Sequence, residues 1–187
     1  TSALLQAEID GDRLDDEDIV GFLFLMVVAG NETTTKLLGN AWYWAWRNPE
    51  ERAKPFADPG RIGQWVEETL RYDASTQMLA RTATQAVALH GGEIPAGGRV
   101  VLLIGSANRD PRVFDRPEVY DLDRPTPQPQ LASFGFGRHH CLGAWLARLE
   151  ARVALEELVR RVSDYEIDTD GIKRVHSLLP PGCTFTT

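Results

Sequence analysis

Phe134-Gly-Phe-Gly-Arg-His-His-Cys-Leu-Gly143 is the most informative stretch of this sequence. It is a glycine-rich loop that delivers one cysteine, Cys141, to the start of a predicted helix in the run Ala144-Trp-Leu-Ala-Arg-Leu-Glu-Ala-Arg152. Unpaired backbone N–H groups and the positive end of the helix dipole should lie near the sulfur and favour the thiolate over the thiol. Loop residues without a Cβ atom let the chain bend sharply and lie against a flat group: Gly135, Gly137 and Gly143. The pattern predicts a cysteine that acts as a nucleophile or as a metal ligand.

The neighbours of Cys141 favour one of four chemical roles. A lone cysteine is most often a small buried apolar residue, but three glycines, phenylalanine and two histidines in the same ten residues argue against that role. A Cys–His nucleophile needs its base on the attacking side, which adjacent residues do not usually provide. A zinc site needs about four N, S or O ligands, and the other cysteine of the chain, Cys183, is isolated. An iron held in a porphyrin needs only one axial thiolate from the protein, and this role fits best.

Composition indicates one sizeable core and argues against several classes of function. The chain has 187 residues, 43% of them hydrophobic, and its net charge of −7 argues against nucleic acid as the main partner. Its longest apolar stretch, residues 19–30, is shorter than the ~20 residues that span a bilayer, so no membrane span is predicted. Two distant cysteines do not form a disulfide framework, which predicts a reducing, cytoplasmic compartment.

A long helix is predicted ahead of the cysteine loop. An acidic cluster at residues 15–18 precedes a run without proline that reaches Arg47, which predicts about 30 helical residues. The middle of this helix is apolar nearly all round, so we expect it to be buried in the centre of the fold. Gly30, Glu32 and Thr33 interrupt it, and the Thr33 hydroxyl can bond to a carbonyl one turn earlier. Taken alone, these residues are typical of a kink with a solvent-facing glutamate.

The remaining sequence predicts shorter helices and a β-hairpin. Helices are expected from Pro49 to Ala57, at residues 62–72 and from the cysteine loop to about Val162. Strands are expected within residues 78–89 and 99–104, paired as a hairpin, and residues 109–130 read as an ordered meander. Glu68 and Arg71 are three residues apart, which places them on one helix face.

Three motifs together resemble the cytochrome P450 family. The haem-binding loop pattern of that family, F-x-x-G-x-[HR]-x-C-x-G, is met by five residues: Phe134, Gly137, His139, Cys141 and Gly143. Residues 29–33 resemble the oxygen-activation motif A-G-x-[DE]-T, and Glu68 with Arg71 resembles the E-x-x-R pair. The resemblance covers nearly all of the chain but only the C-terminal half of the family's fold, so we expect a fragment. It implies an α+β fold, mainly α with small β-sheets, in which the long central helix and the Cys-loop helix pack around haem, with residues 1–187 forming one partial domain.

The resemblance also implies a role for each matching residue. Haem b would be the cofactor, with Cys141 as the ligand of its iron. Gly30 would make room for dioxygen, Thr33 would hydrogen-bond the iron-bound oxygen, and Glu32 would relay protons to it as a general acid. The remaining haem-binding positions would be those of the loop and one strand arginine, with the two cations meeting the haem propionates: His139, Arg81, Phe134, Gly135, Gly137 and Gly143. A structural triad would consist of Glu68, Arg71 and Arg124.

A haem-thiolate monooxygenase is the function that the resemblance implies. Such an enzyme inserts one atom of O2 into a small apolar organic substrate, with electrons from NAD(P)H through ferredoxin reductase and ferredoxin. A basic set that includes Arg112 and Arg138 could dock this acidic partner. Residues 76–79 and 178–181 would line the substrate site. Two alternatives remain open: a peroxygenase driven by H2O2, and a truncated, haem-free fragment that acts only by association through the apolar surface of residues 19–29.

Overall fold

Helices dominate the part of the chain that the computed structural model describes, residues 2–172, 176–179 and 183–186. Helices α1 to α6 span Ser2–Gln6, Asp16–Arg47, Pro49–Ala57, Ile62–Tyr72, Ile104–Ala107 and Ala144–Arg161. Strands β1 to β8 span Glu8–Ile9, Asp12–Arg13, Thr76–Thr82, Val87–Leu89, Gly92–Ile94, Arg99–Leu103, His176–Leu179 and Cys183–Thr186. The α+β class with small sheets is therefore confirmed.

The strands form three small antiparallel sheets. The largest has the order β6-β3-β8-β7, and the other two are the pairs β1-β2 and β4-β5. Strand β3 pairs with β6 in a register that places Arg81 opposite Val100, so the predicted hairpin is present. Its inner hairpin, β4-β5, turns at His90 and Gly91, which both have positive φ.

The core lies where α2, α4 and α6 meet the meander, residues 109–130, and Leu131 directly after it. The buried apolar residues of this cluster come from all four segments: Leu37, Ala41 and Ala45; Ile62, Trp65, Val66 and Leu70; Ala151 and Leu155; Tyr120, Leu122 and Leu131. The Trp65 indole donates to the Ala41 carbonyl at 3.1 Å, which fixes α4 against α2. This packing holds α4 and α6 in place, and residues of both helices belong to the candidate site described below.

Helix α2 starts as predicted but is not buried along its first half. Asp15 caps it by accepting a hydrogen bond from the backbone N–H of Asp18 at 2.8 Å. The expectation of a central, buried position holds only for its second half, because Phe24 and Val27 are 71% and 68% exposed. In the described residues, α2 packs mainly against α3, α4 and α6, which cover its C-terminal part. No helix of the described residues is long and apolar enough to cross a membrane.

Candidate functional site

The cysteine loop is held by its own backbone. The Cys141 N–H donates to the Phe134 carbonyl at 2.8 Å, and the His140 N–H donates to the Gly137 carbonyl at 3.1 Å. Gly135 and Gly137 adopt φ of 69° and 67°, the left-handed region that side chains with Cβ rarely enter. These two glycines therefore allow the loop to fold back on itself and present Cys141 at the surface, where the thiol is exposed and free.

Helix α6 begins three residues after the cysteine. The Ala144 N–H donates to the Cys141 carbonyl at 3.2 Å, and Gly143 is the N-cap residue. A Cβ atom at Gly143 would lie 3.9 Å from the Cys141 sulfur, an ordinary contact distance. The sequence prediction of a cysteine at a helix start is thus confirmed in geometry. Two apolar residues that follow the cysteine in the sequence are strongly exposed: Leu142 at 81% and Trp145 at 83%.

Phe134 contacts Arg148, a residue of α6. The Arg148 guanidinium lies 4.5 Å from the centre of the Phe134 ring, a cation–π contact. Arg148 also pairs with Glu67 of α4, with 3.1 Å between Nη2 and Oε2. The loop is consequently linked to α6 and to α4 through one arginine.

The two residues expected at the haem propionates lie on separate elements. His139 is an exposed residue of a short 3-10 turn, Gly137–His139, within the loop. Arg81 is exposed on β3, and its Nη1 donates to the neighbouring Ala80 carbonyl at 2.8 Å. Both cations are therefore accessible to an anionic group. Of the expected substrate-lining segments, residues 76–79 belong to β3, whereas the side chains of residues 178–181 lie outside the described part of the structure.

The oxygen-activation motif lies in the middle of α2. The Thr33 hydroxyl donates to the Ala29 carbonyl at 2.7 Å, as predicted. Glu32 is half exposed and pairs with Lys36 at 3.1 Å, although the Lys36 side chain is only 5% exposed. Gly30 borders a groove of about 550 Å³ between α2 and α6. A Cβ atom at Gly30 would contact nothing within 4 Å, so the groove is open at this point.

Glu68, Arg71 and Arg124 contact one another. Arg71 donates from Nε and Nη2 to the two Glu68 oxygens at 2.8 and 2.7 Å, and both side chains are essentially fully buried. Arg124 Nε lies 3.2 Å from Glu68 Oε1, which also accepts from the Asp121 backbone N–H at 2.9 Å. The remaining N–H groups of Arg71 donate to the carbonyl of Asn108, directly after α5, and to two carbonyls of the meander, Pro117 and Val119. The three residues thus attach α4 to the meander.

Asn108 connects this buried network to the cysteine loop. Its backbone carbonyl accepts from Arg71 at 3.1 Å, and its side-chain oxygen accepts from the Ala132 N–H at 2.8 Å. Its amide nitrogen donates to the Ser133 hydroxyl at 2.7 Å. Ser133 immediately precedes Phe134. Arg71 is therefore linked to the start of the loop through Asn108 and Ser133.

Sequence reasoning missed two of these residues. Asn108 carries no motif, and only its complete burial in the fold reveals its role. Lys36 could have been found, because a glutamate four residues before a lysine is a favourable helical pair, but its burial depends on the packing of α2.

The donor set fits a haem iron better than an iron or zinc bound by protein ligands alone. Within the described residues no group of three or more His, Cys, Asp or Glu side chains is placed to hold a metal ion. A single exposed thiol can fill one axial position of an iron whose equatorial ligands come from a porphyrin. Leu142 and Trp145, which follow Cys141 in the sequence, add exposed apolar surface at the start of α6.

Comparison with known proteins agrees with this geometry. A family model described as Cytochrome P450 matches residues 62–176. A protein of Mycobacterium tuberculosis (strain ATCC 25618 / H37Rv) described as "Putative cytochrome P450 123" is 60% identical over 177 residues, 95% of this chain and 44% of its own. The biotin biosynthesis cytochrome P450 of Bacillus subtilis (strain 168) is 44% identical over 151 residues, which are 81% of this chain and 38% of that protein.

A solved structure shows the same arrangement of elements. Cytochrome CYP109E1 from Bacillus megaterium superposes with a TM-score of 0.89 at 38% identity, and the match covers 99% of this chain and 49% of that one. The chain spans less than half the length of each of these three proteins.

Proposed function

The chain belongs to the cytochrome P450 family, and we propose that the protein is a haem-thiolate monooxygenase. It would insert one atom of O2 into an organic substrate, with electrons that originate in NAD(P)H. The observation that carries this proposal is the exposed thiol of Cys141, held by a glycine-bent loop at the start of α6. Haem b, when bound there, supplies the oxygen-activating redox chemistry, which an axial thiolate promotes by donating electron density to the iron.

The loop residues hold the cofactor in this proposal. Cys141 provides the ligand. The turns at Gly135 and Gly137, which carry no side chain, let the backbone of the loop approach a flat ring closely. Phe134, fixed by Arg148, excludes water on the sulfur side. The exposed side chains of His139 and Arg81 each offer a hydrogen bond to a carboxylate of the cofactor, and the ionised carboxylate makes this bond charge-assisted.

Proton delivery is assigned to the motif in α2. Glu32 is half exposed, so its carboxylate can exchange protons with solvent and act as a general acid. The Thr33 hydroxyl has its own proton engaged by the Ala29 carbonyl, which leaves its oxygen lone pairs directed away from that bond as acceptors. Gly30 keeps the adjacent groove open. The triad of Glu68, Arg71 and Arg124 has no part in the chemistry and holds the scaffold.

An apolar organic molecule is the proposed substrate class. Support comes from CYP109E1, whose solved structure is a complex with corticosterone, a largely apolar compound. The widely separated cysteines of the sequence support the cytoplasm as the compartment.

A haem-free chain that acts by association is the second candidate. The exposed apolar face of α2, with Val20, Phe24 and Val27 exposed by 66–71%, favours it because patches of this kind promote association.

An absorption spectrum separates the two candidates. The chain is supplied with haem, reduced, and exposed to carbon monoxide. A thiolate-ligated haem gives the strongly red-shifted Soret band after which the family is named, and we expect this band. A haem-loaded chain without the band contradicts the proposed function. A chain that takes up no haem and elutes as an oligomer in size-exclusion chromatography supports the second candidate.

Arg138 is expected to steer the electron-transfer partner more than Arg112. Arg112 donates from Nε to Asp110 at 2.9 Å, and this hydrogen bond lowers the pKa of Asp110 to about 2. Asp110 is therefore ionised at neutral pH, and the two opposite charges cancel. Within the part of the chain that the structure describes, no carboxylate pairs with Arg138. In the haem-loaded protein, Arg138→Gln should slow the first electron transfer from a ferredoxin several-fold at low salt, since unpaired surface charges govern association rates.

Salt and a matched variant control this experiment. The difference should shrink at high ionic strength, because exposed charges are screened. The double variant Arg112→Gln, Asp110→Asn removes both charges of the compensated pair, leaves the net charge unchanged, and should have a smaller effect. Equal rates for wild type and Arg138→Gln at low salt would remove Arg138 from the docking surface.

A further inference from the structure

Lys36 is a buried cation one helical turn after the acid of the oxygen-activation motif. Its side chain is 5% exposed, whereas that of Glu32 is 51% exposed, and Nζ lies 3.1 Å from Oε2. A buried ammonium is costly unless a carboxylate compensates it. The glutamate lies N-terminal to the lysine at the i, i+4 spacing, which is the favourable order of such a pair in a helix.

The backbone around this pair is fixed by the segment between α4 and β3. The Ser75 hydroxyl donates to the Thr33 carbonyl at 2.7 Å. The Asn40 amide donates to the Asp73 carbonyl at 2.8 Å. With the helix turn anchored in this way, the remaining freedom of Glu32 lies in its side chain, and Lys36 is the group that holds it.

One further acid lies on the segment packed against this face of α2. Asp73 is buried, and its carboxylate accepts from the Trp44 indole at 2.8 Å and from the Gln77 amide at 3.3 Å. Trp44 and Gln77 are thus two of the groups that hold the Asp73 carboxylate. Lys36 itself forms an ion pair with Glu32.

We propose that Lys36 is a positioning residue that holds the Glu32 carboxylate in place for proton delivery. This inference rests on the monooxygenase function proposed above. An unpaired, half-exposed glutamate samples many rotamers, whereas an ion pair to a fixed, buried ammonium restricts it to one. Productive turnover uses O2, substrate, two electrons and two protons to form hydroxylated product and water. If proton delivery is misplaced, the same two electrons and two protons leave with the oxygen as H2O2.

Lys36→Met is the decisive variant, because methionine keeps the length of the side chain and removes only the charge. In the haem-loaded protein we expect product per O2 consumed to fall several-fold and H2O2 to rise by the matching amount. We expect the carbon monoxide band to stay unchanged and the Tm to change little, since the substitution removes a costly buried charge and the carboxylate left behind, Glu32, is half exposed and stays hydrated. A residue with only a structural role would lower the Tm and leave the ratio of product to H2O2 unchanged.

Four further variants test this assignment. Lys36→Arg keeps a cation and should restore most of the coupling between O2 and product. Glu32→Gln should lower that coupling by itself, and adding Lys36→Met should lower it no further, because the two residues act as one unit. Arg152 and Glu156 form an i, i+4 pair on the exposed surface of α6, 3.5 Å apart. Arg152→Met is therefore the matched control and should leave the coupling at the wild-type value.

A stability cycle tests the pairing without any turnover. In the chain itself, Glu32→Gln should lower the Tm when Lys36 is present, because the buried ammonium loses a partner, and should have little effect in the Lys36→Met background. Additive Tm changes would overturn the inference. So would a wild-type ratio of product to H2O2 in Lys36→Met. A haem-loaded wild type without the red-shifted band is a different result, since it refutes the monooxygenase proposal whatever the Tm cycle shows.

Discussion

Replacing Cys141 with serine is expected to abolish the red-shifted carbon monoxide band of the haem-loaded chain. Serine has nearly the same size as cysteine, but its hydroxyl stays protonated near neutral pH and does not donate electron density to iron as a thiolate does. The Cys141 side chain is exposed, and only its backbone takes part in the loop hydrogen bonds. The variant should therefore fold like the wild type and lose the spectral signature completely.

Cys183→Ser provides the control. Cys183 is the other of the two cysteines and lies in β8, outside the glycine loop. This variant should keep the full intensity of the band. A Cys141→Ser protein that still shows the red-shifted band would refute the ligand assignment. Thermal unfolding of both variants, recorded on the same samples, shows whether a lost band reflects the missing ligand or a misfolded chain.

Local sequence signals were sufficient for most of the fold. Helix α4 occupies the predicted residues, Ile62–Tyr72, because the Asp58–Pro59–Gly60 break separates it from α3, and the 3-10 turn Pro59–Arg61, capped by Asp58, leads directly into it. The Thr33 hydroxyl bonds to the carbonyl one turn earlier, as its chemistry requires within a helix. The cysteine loop is likewise local, since its turns depend on glycines that the sequence shows directly.

Contacts between residues far apart in the chain could not be predicted from the sequence. Asn108 links Arg71 to the residues before the cysteine loop, but its partners lie 24 to 38 positions away, so no spacing rule points to it. The burial of Lys36 has the same origin. The first half of α2 shows the opposite case. Its apolar composition predicted a buried helix, yet Phe24 is 71% exposed. The hydrophobicity of a helix indicates which residues can be buried, but not which other elements pack against them.

Arg71→Leu is expected to cause the largest loss of stability in the chain. Arg71 and Glu68 are 0% and 1% exposed and share two hydrogen bonds of 2.7–2.8 Å. Removing one member of a buried ion pair typically costs about 3–5 kcal/mol, because the other charge stays buried without its partner. That loss is a large part of the ~5–15 kcal/mol that stabilises a typical domain. Arg124 compensates Glu68 only in part, from 3.2 Å.

The effect should also reach the cysteine loop. The Arg71 side chain donates to the Asn108 carbonyl, and the Asn108 side chain holds the Ala132 N–H and the Ser133 hydroxyl, directly before the loop. Arg71→Leu should therefore lower haem retention as well as the midpoint of urea unfolding. Arg71→Lys should fall between wild type and leucine, because an ammonium cannot reproduce the planar fork of donors that reaches both Glu68 oxygens and three carbonyls.

Arg112→Leu is the matched control, since it also removes an arginine from a carboxylate pair but at the surface, where the Arg112 side chain is 82% exposed. Exposed pairs contribute little, because water and salt already screen both charges. The unfolding midpoint of this variant should coincide with that of the wild type. Equal midpoints for Arg71→Leu and Arg112→Leu would mean that the buried network does not hold the meander to α4. The stability of the loop would then have to come from the packing of α2, α4 and α6 alone.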